Sequence, residues 1–180
     1  LVLDVFWWSS AMSVGSLGAL VAVTAYISSS RAAAMVIVAA YAVASTIAVA
    51  LSSTTVAAAI FIAACAGLVA YSSRWGYAAA ALLIGIMVPY NIHAPPLPLP
   101  NGDSGPLYYL AILVIALAAG FWAIAILAFA LRRRKTKPVP LAPVPAPDAL
   151  LGAVLIAAVS GGLAIVALTW FPATMWVWLL

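Results

Sequence analysis

The run LYYLAILVIALAAGFWAIAILAFAL, residues 107–131, is followed directly by RRRKTK, residues 132–137. An α-helix rises about 1.5 Å per residue, so about 20 apolar residues cross the hydrocarbon core of a bilayer, which is about 30 Å thick. The run contains no charged residue, and five of the chain's seven basic residues come directly after it. Lys and Arg concentrate on the cytoplasmic side of membrane proteins. This stretch therefore predicts a transmembrane helix that ends at a cytoplasmic basic anchor.

The rest of the chain follows the same pattern. Hydrophobic residues make up 68% of the sequence and charged residues 6%, which is far from the balance of soluble domains. The charged residues stand at the edges of apolar runs, where they must lie if those runs are in hydrocarbon. The sequence therefore predicts an all-α, polytopic transmembrane helical bundle with about six spans. The predicted spans are 5–27, 32–51, 54–72, 75–93, 107–131 and 149–171.

Proline and basic residues divide the chain into three parts. Residues 1–131 form a transmembrane block of five predicted helices. Residues 132–148 combine the basic run with prolines in near alternation, which favours a semi-rigid cytoplasmic linker. Residues 149–180 contain the sixth predicted helix and the start of a further one. We therefore expect two helical units separated by a spacer.

The basic residues also predict an orientation. If the linker 132–148 is cytoplasmic, the loops that hold Arg31 and Arg74 are cytoplasmic too, and all seven basic residues lie inside. Residue 1 then lies outside, directly before a helix, so we expect a further helix upstream. The sequence thus predicts a multi-pass protein of a bacterial plasma (inner) membrane. The anchor is expected to attract anionic lipid headgroups. It consists of Arg132, Arg133, Arg134, Lys135 and Lys137.

Small residues recur every four positions on two predicted helices: Ala11, Gly15 and Ala19 on the first, and Ala63 and Gly67 on the third. Small faces let helix backbones approach closely in a membrane. These residues are therefore predicted to form helix-packing faces. Other transmembrane helices, in a homo-oligomer or a larger complex, are the expected protein partners.

Three aromatic residues lie deep in predicted spans, namely Tyr41, Phe61 and Trp122. They are candidates for lining a cavity that takes an apolar or aromatic compound. The alternative is simple packing of large side chains against alanine-rich neighbours.

The sequence contains none of the catalytic motifs considered below. No charged residue or histidine stands in the central part of a predicted helix, although proton- and ion-coupled transporters usually keep such groups there. No nucleophilic constellation and no glycine-rich phosphate loop is present. The single cysteine, Cys65, has no companions for a metal site. We therefore predict a protein without catalytic, metal or cofactor-binding residues. Because the basic residues are explained by the anchor, we predict no nucleic-acid binding.

The order of these features resembles the fusaric acid resistance, or aromatic acid exporter-like (FUSC), superfamily of bacterial membrane proteins. In that family a block of about six helices leads through a basic, proline-containing cytoplasmic segment into a second block. The residues that carry the resemblance are the basic run from Arg132, the proline segment, Ala149–Ala153, Trp176–Leu179 and Trp8–Val23. The resemblance implies a first helical block with the start of a second, and an export function.

Two functional hypotheses remain open at this point. The first is an exporter-like transport protein that moves amphipathic or aromatic small molecules outward. The second is a noncatalytic accessory transmembrane subunit of a larger cell-envelope complex, for example one that transports lipid. The resemblance and a weak similarity between the segments that begin at Asp4 and at Trp170 favour the first. The lack of charges within the predicted spans favours the second.

Overall fold

The computed structural model describes residues 2–96, 98–99, 104–132 and 142–170, with side chains described from Met12 onward. All regular structure in these residues is helical, so the predicted all-α fold is confirmed. The six α-helices are α1 (Val2–Ser28), α2 (Arg31–Leu51), α3 (Thr55–Tyr71), α4 (Ala78–His93), α5 (Pro106–Ala130) and α6 (Ala146–Trp170). A short 3-10 helix, Ser72–Trp75, follows α3.

Local sequence explains where several helices begin and end. The Ser30 side chain accepts a hydrogen bond from the backbone N–H of Ala33 at 3.2 Å and so caps the start of α2. Gly76 has φ 76°, a left-handed conformation that glycine adopts without strain, and it ends the 3-10 helix. The predicted span 75–93 therefore begins later than expected, since α4 starts only at Ala78. Pro106 stands in the first turn of α5, where its missing N–H costs nothing.

Four stretches are long and apolar enough to cross a membrane: α2, α3 with the 3-10 helix, α5 and α6. The prediction of about six spans is thus confirmed for four of them. At 16 residues, α4 rises only about 24 Å along its axis. Helix α1 has 27 residues. The part of it with described side chains, Met12–Ser28, is also an apolar helix of fewer than 18 residues.

The helices pack in two groups. Helix α1 packs against α2, α4 and α5, and α2 also packs against α4 and α5. These four helices enclose most of the buried residues, and we call them the four-helix core. Helix α3 packs on α4 on one side and on α6 on the other. Within the described residues, the main contacts of α6 are with α3. Large apolar side chains cover most of the rest of its surface and are exposed.

Helix α5 shows how this apolar chain selects its buried face. Its buried residues are spaced strictly four apart: Tyr108, Ile112, Ala116, Gly120 and Ile124. A four-residue spacing advances slightly beyond one helical turn, so the buried line winds slowly around α5. This line faces α1 and α2.

Candidate functional site: a buried polar cluster between α2 and α4

The interior of the four-helix core contains three polar side chains at one place. Ser45 of α2 and Asn91 of α4 are both buried, and the Asn91 Nδ2 donates a hydrogen bond to the Ser45 Oγ at 2.9 Å. Tyr41 lies four residues before Ser45 on the same face of α2 and has no exposed surface. We call these residues the polar cluster. A polar cluster within an otherwise apolar bundle is costly to bury unless its groups bond to one another.

Within the polar cluster, the Tyr41 hydroxyl is the group without a hydrogen bond of normal geometry. It lies near enough to the Ser45 and Asn91 side chains for a weak hydrogen-bonding interaction with each of them. However, no described residue meets the geometry of a hydrogen bond to it. A buried hydroxyl without a partner costs about 1–3 kcal/mol. Tyr41 therefore places an available hydrogen-bonding group inside the core.

The position of Tyr41 is central along α2. It stands ten positions after Arg31 at the start of the helix and ten positions before Leu51 at the end. Helix α2 is long and apolar enough to cross a membrane, so Tyr41 stands at the midpoint of a candidate membrane span.

Two glycines allow the helices around Tyr41 to approach closely. A Cβ atom on Gly18 of α1 would lie 2.9 Å from the backbone oxygen of Ala116 and 3.5 Å from Cε1 of Tyr41. A Cβ atom on Gly120 of α5 would overlap the Cγ1 atom of Val38. Helices α1, α2 and α5 can therefore approach this closely only because these positions have no side chain.

A proline stands beside the cluster on α4. Pro89 is buried two residues before Asn91, inside a helix that continues to His93. Proline has no backbone N–H, so the carbonyl of Gly85 loses its helical donor. The last turns of α4 contain Asn91. They therefore have one backbone hydrogen bond fewer to the rest of the helix than a regular α-helix would have.

The three predicted cavity residues lie in different surroundings. Tyr41 belongs to the polar cluster, and Phe61 is a partly buried residue packed against the core. Trp122 is 69% exposed on the outer surface of α5. It stands two residues after Gly120, which turns it to the opposite side from the buried line of that helix. The structure does not bring these three side chains together.

Three of the predicted packing residues, Gly15, Ala63 and Gly67, lie at contacts between helices. A Cβ atom on Gly15 would lie 3.4 Å from Ile115 and 3.6 Å from Ala119, so Gly15 faces α5. Ala19 is partly exposed, and its neighbour Gly18 makes the closer approach. The Ala11 side chain lies outside the described part of the structure.

On α3, Ala63 and Gly67 both face α6. A Cβ atom on Gly67 would lie 3.1 Å from the Ala157 Cβ, and one on Gly161 would lie 3.0 Å from the Ala63 Cβ. The higher numbers on α3 pair with the lower numbers on α6, so the two helices run antiparallel.

The predicted anchor is described only at its first residue. Arg132 is exposed, with its guanidinium carbon 4.4 Å from the centroid of the Phe129 ring. This cation–π contact holds the charge at the end of α5. The other four basic residues of the anchor, Arg133, Arg134, Lys135 and Lys137, lie outside the described residues.

Ser45 and Asn91 are not among the residues predicted from the sequence. A signal was available, because an asparagine within a predicted apolar span is expensive in a membrane and usually has a hydrogen-bond partner on another helix. The identity of that partner was not readable, since Ser45 is 46 residues away.

Comparisons with protein-family models, with curated proteins and with solved structures found no match for this chain.

Proposed function

We propose that this chain belongs to a membrane transport protein of exporter type, which moves amphipathic or aromatic small molecules outward along a path between α2 and α4. The observation that carries the proposal is the Tyr41 hydroxyl, buried at mid-helix without a hydrogen-bond partner among the described residues. Phenylalanine would fill the same space without burying that hydroxyl. A tyrosine there supports a ligand role, since its ring and hydroxyl match a molecule with apolar and polar parts.

The surroundings of Tyr41 fit this role. The Asn91 amide and the Ser45 hydroxyl supply further hydrogen-bonding groups close to the Tyr41 hydroxyl. Access requires α2 and α4 to separate, and the missing hydrogen bond at Pro89 lowers the cost of moving the end of α4. Opening would exchange the bond between Asn91 and Ser45 for bonds to the substrate.

The proposal is tested by efflux from proteoliposomes loaded with 2-naphthoate, a fluorescent aromatic carboxylate. Asn91→Leu is expected to lower the initial efflux rate about tenfold, the effect of one lost hydrogen bond to a substrate in a buried site. Gly162→Ala is the matched control, since a Cβ atom there meets no atom within 4 Å. Equal rates for wild type, Asn91→Leu and Gly162→Ala would reject the path between α2 and α4.

The second candidate, a noncatalytic accessory subunit of a larger cell-envelope complex, is favoured by α6. That helix packs mainly on α3 and exposes large apolar side chains along its length, including Leu151, Leu155 and Leu163. A partner helix would cover such a surface. Native mass spectrometry after purification in mild detergent distinguishes the candidates. A stoichiometric second protein, together with absence of efflux from the purified chain, would favour the accessory role.

A further inference from the structure

A second cluster of interacting side chains lies at the C-terminal end of α3 and in the 3-10 helix that follows it. The Arg74 Nη1 donates a hydrogen bond to the Tyr71 hydroxyl at 2.9 Å, and the Arg74 guanidinium carbon lies 5.7 Å from the centroid of the Trp75 ring. The Tyr71 and Trp75 rings meet edge to face, with centroids 5.4 Å apart. We call Tyr71, Arg74 and Trp75 the Arg74 cluster.

The backbone fixes this cluster. In a 3-10 helix, residues three apart lie above one another, which brings Arg74 over Tyr71. Gly76 then ends the helix. The backbone N–H of Val144 donates to the carbonyl of Ser73 at 3.1 Å, so the segment before α6 is bound to the same turn.

The positive charge of Arg74 is not neutralised within the described residues. Its guanidinium has five N–H donors, and its hydrogen-bond partner is the neutral Tyr71. Asp148, in the first turn of α6, is the one acidic residue whose side chain the structure describes. It forms no ion pair with Arg74. Both Arg74 and Trp75 are exposed.

We propose that the Arg74 cluster binds the phosphate group of an anionic membrane lipid. The cluster stands at the end of a helix long enough to span the membrane, and Tyr and Trp rings concentrate at the headgroup level there. Arginine binds phosphate oxygens through two parallel N–H donors. Tyr71 and Trp75 orient the guanidinium in advance, so little conformational entropy is lost when the phosphate binds.

The cluster selects net negative headgroups over zwitterionic ones. A choline or ethanolamine headgroup carries a cation beside its phosphate, and no carboxylate of the cluster would receive it. Phosphatidylglycerol carries the phosphate charge alone. This lipid site is independent of the transport proposal, because it involves neither α2 nor the polar cluster.

The test is native mass spectrometry of the chain in detergent with added phosphatidylglycerol or phosphatidylcholine. Wild-type protein is expected to retain phosphatidylglycerol preferentially. Arg74→Gln should weaken that retention about tenfold, and Tyr71→Phe should weaken it about threefold, because the guanidinium then loses its orienting acceptor. Arg31→Gln is the matched control: it removes one exposed arginine, on the same predicted side, for which no aromatic contact is described.

Three results would overturn the proposal. The first is equal retention of the two lipids by wild-type protein. The second is an equal loss for Arg31→Gln and Arg74→Gln, which would reduce the effect to general charge attraction. The third is displacement of the lipid by millimolar inorganic phosphate, which would show that the site takes the free anion. Circular dichroism of each variant confirms that the helices are intact.

Discussion

The contact of α1 with α5 and the contact of α3 with α6 are built from the same kinds of residue, yet they occupy different surroundings. At the first, Gly18 and Gly120 bring the helices together inside a core that α2 and α4 complete. At the second, Gly67 and Gly161 bring α6 onto α3, while most of α6 faces outward. Small residues set the distance between two helices. The number of neighbouring helices decides how much stability depends on that distance.

The largest expected effect is at Gly120. In Gly120→Ala the new methyl group overlaps the Val38 side chain, and a β-branched residue in a helix has almost no alternative rotamer. We expect the free energy of unfolding in detergent to fall by about 1–3 kcal/mol. The variant Gly120→Ala with Val38→Ala should recover part of that loss. A single variant as stable as wild type would show that α2 and α5 are not in this close contact.

The next effect is at Asn91. Asn91→Leu removes the donor to Ser45 and leaves two hydroxyls buried on α2. Hydrogen bonds between membrane helices contribute about 0.6 kcal/mol on average and up to about 1.7 kcal/mol, so we expect a loss within this range. Combining Asn91→Leu with Ser45→Ala should add little further loss, which a double-mutant cycle measures. Fully additive losses would mean that the two side chains do not interact.

A smaller effect is expected at Gly161 on α6. A methyl group there would lie 3.0 Å from the Ala63 Cβ, but α6 has few other contacts and can move outward. We expect Gly161→Ala to cost less than about 1 kcal/mol and to leave the four-helix core unchanged. Crosslinking between cysteines introduced on α3 and α6 should become slower. A loss as large as that of Gly120→Ala would contradict the difference between the two contacts.

The smallest effect is expected at Trp122. Its side chain is largely exposed on α5, so Trp122→Ala removes no interior packing. We expect unchanged stability and an unchanged efflux rate. A marked decrease of either would place this aromatic side chain in a functional contact after all.

The sequence was sufficient to predict where the helices lie, but it did not show which face of each helix is buried. Apolar runs of the right length predicted all six helices, with ends within three residues of those observed. The faces were not readable because these helices are apolar on every side, so no polar stripe marks the exposed surface. Trp122 and Tyr41 therefore appeared equivalent in the sequence, although one is exposed and the other is buried.

The polar cluster shows a second limit of the sequence. Ser45 and Asn91 are 46 positions apart in the sequence. Their contact depends on α2 and α4 being neighbours. The close approach at Gly18 and Gly120 concerns α1, α2 and α5. Neither glycine is among the packing residues predicted from the sequence. Pairing between distant helices is a property of the packed bundle.

The most direct test of the proposed substrate path is the variant Tyr41→Phe. Its free energy of unfolding and its rate of 2-naphthoate efflux are measured on the same preparations. The substitution keeps the ring and removes a buried hydroxyl that has no hydrogen-bond partner among the described residues. We expect the free energy of unfolding to rise by about 1 kcal/mol and the efflux rate to fall. Unchanged efflux together with reduced stability would contradict the proposed path, because the hydroxyl would then serve the fold and not a transported molecule.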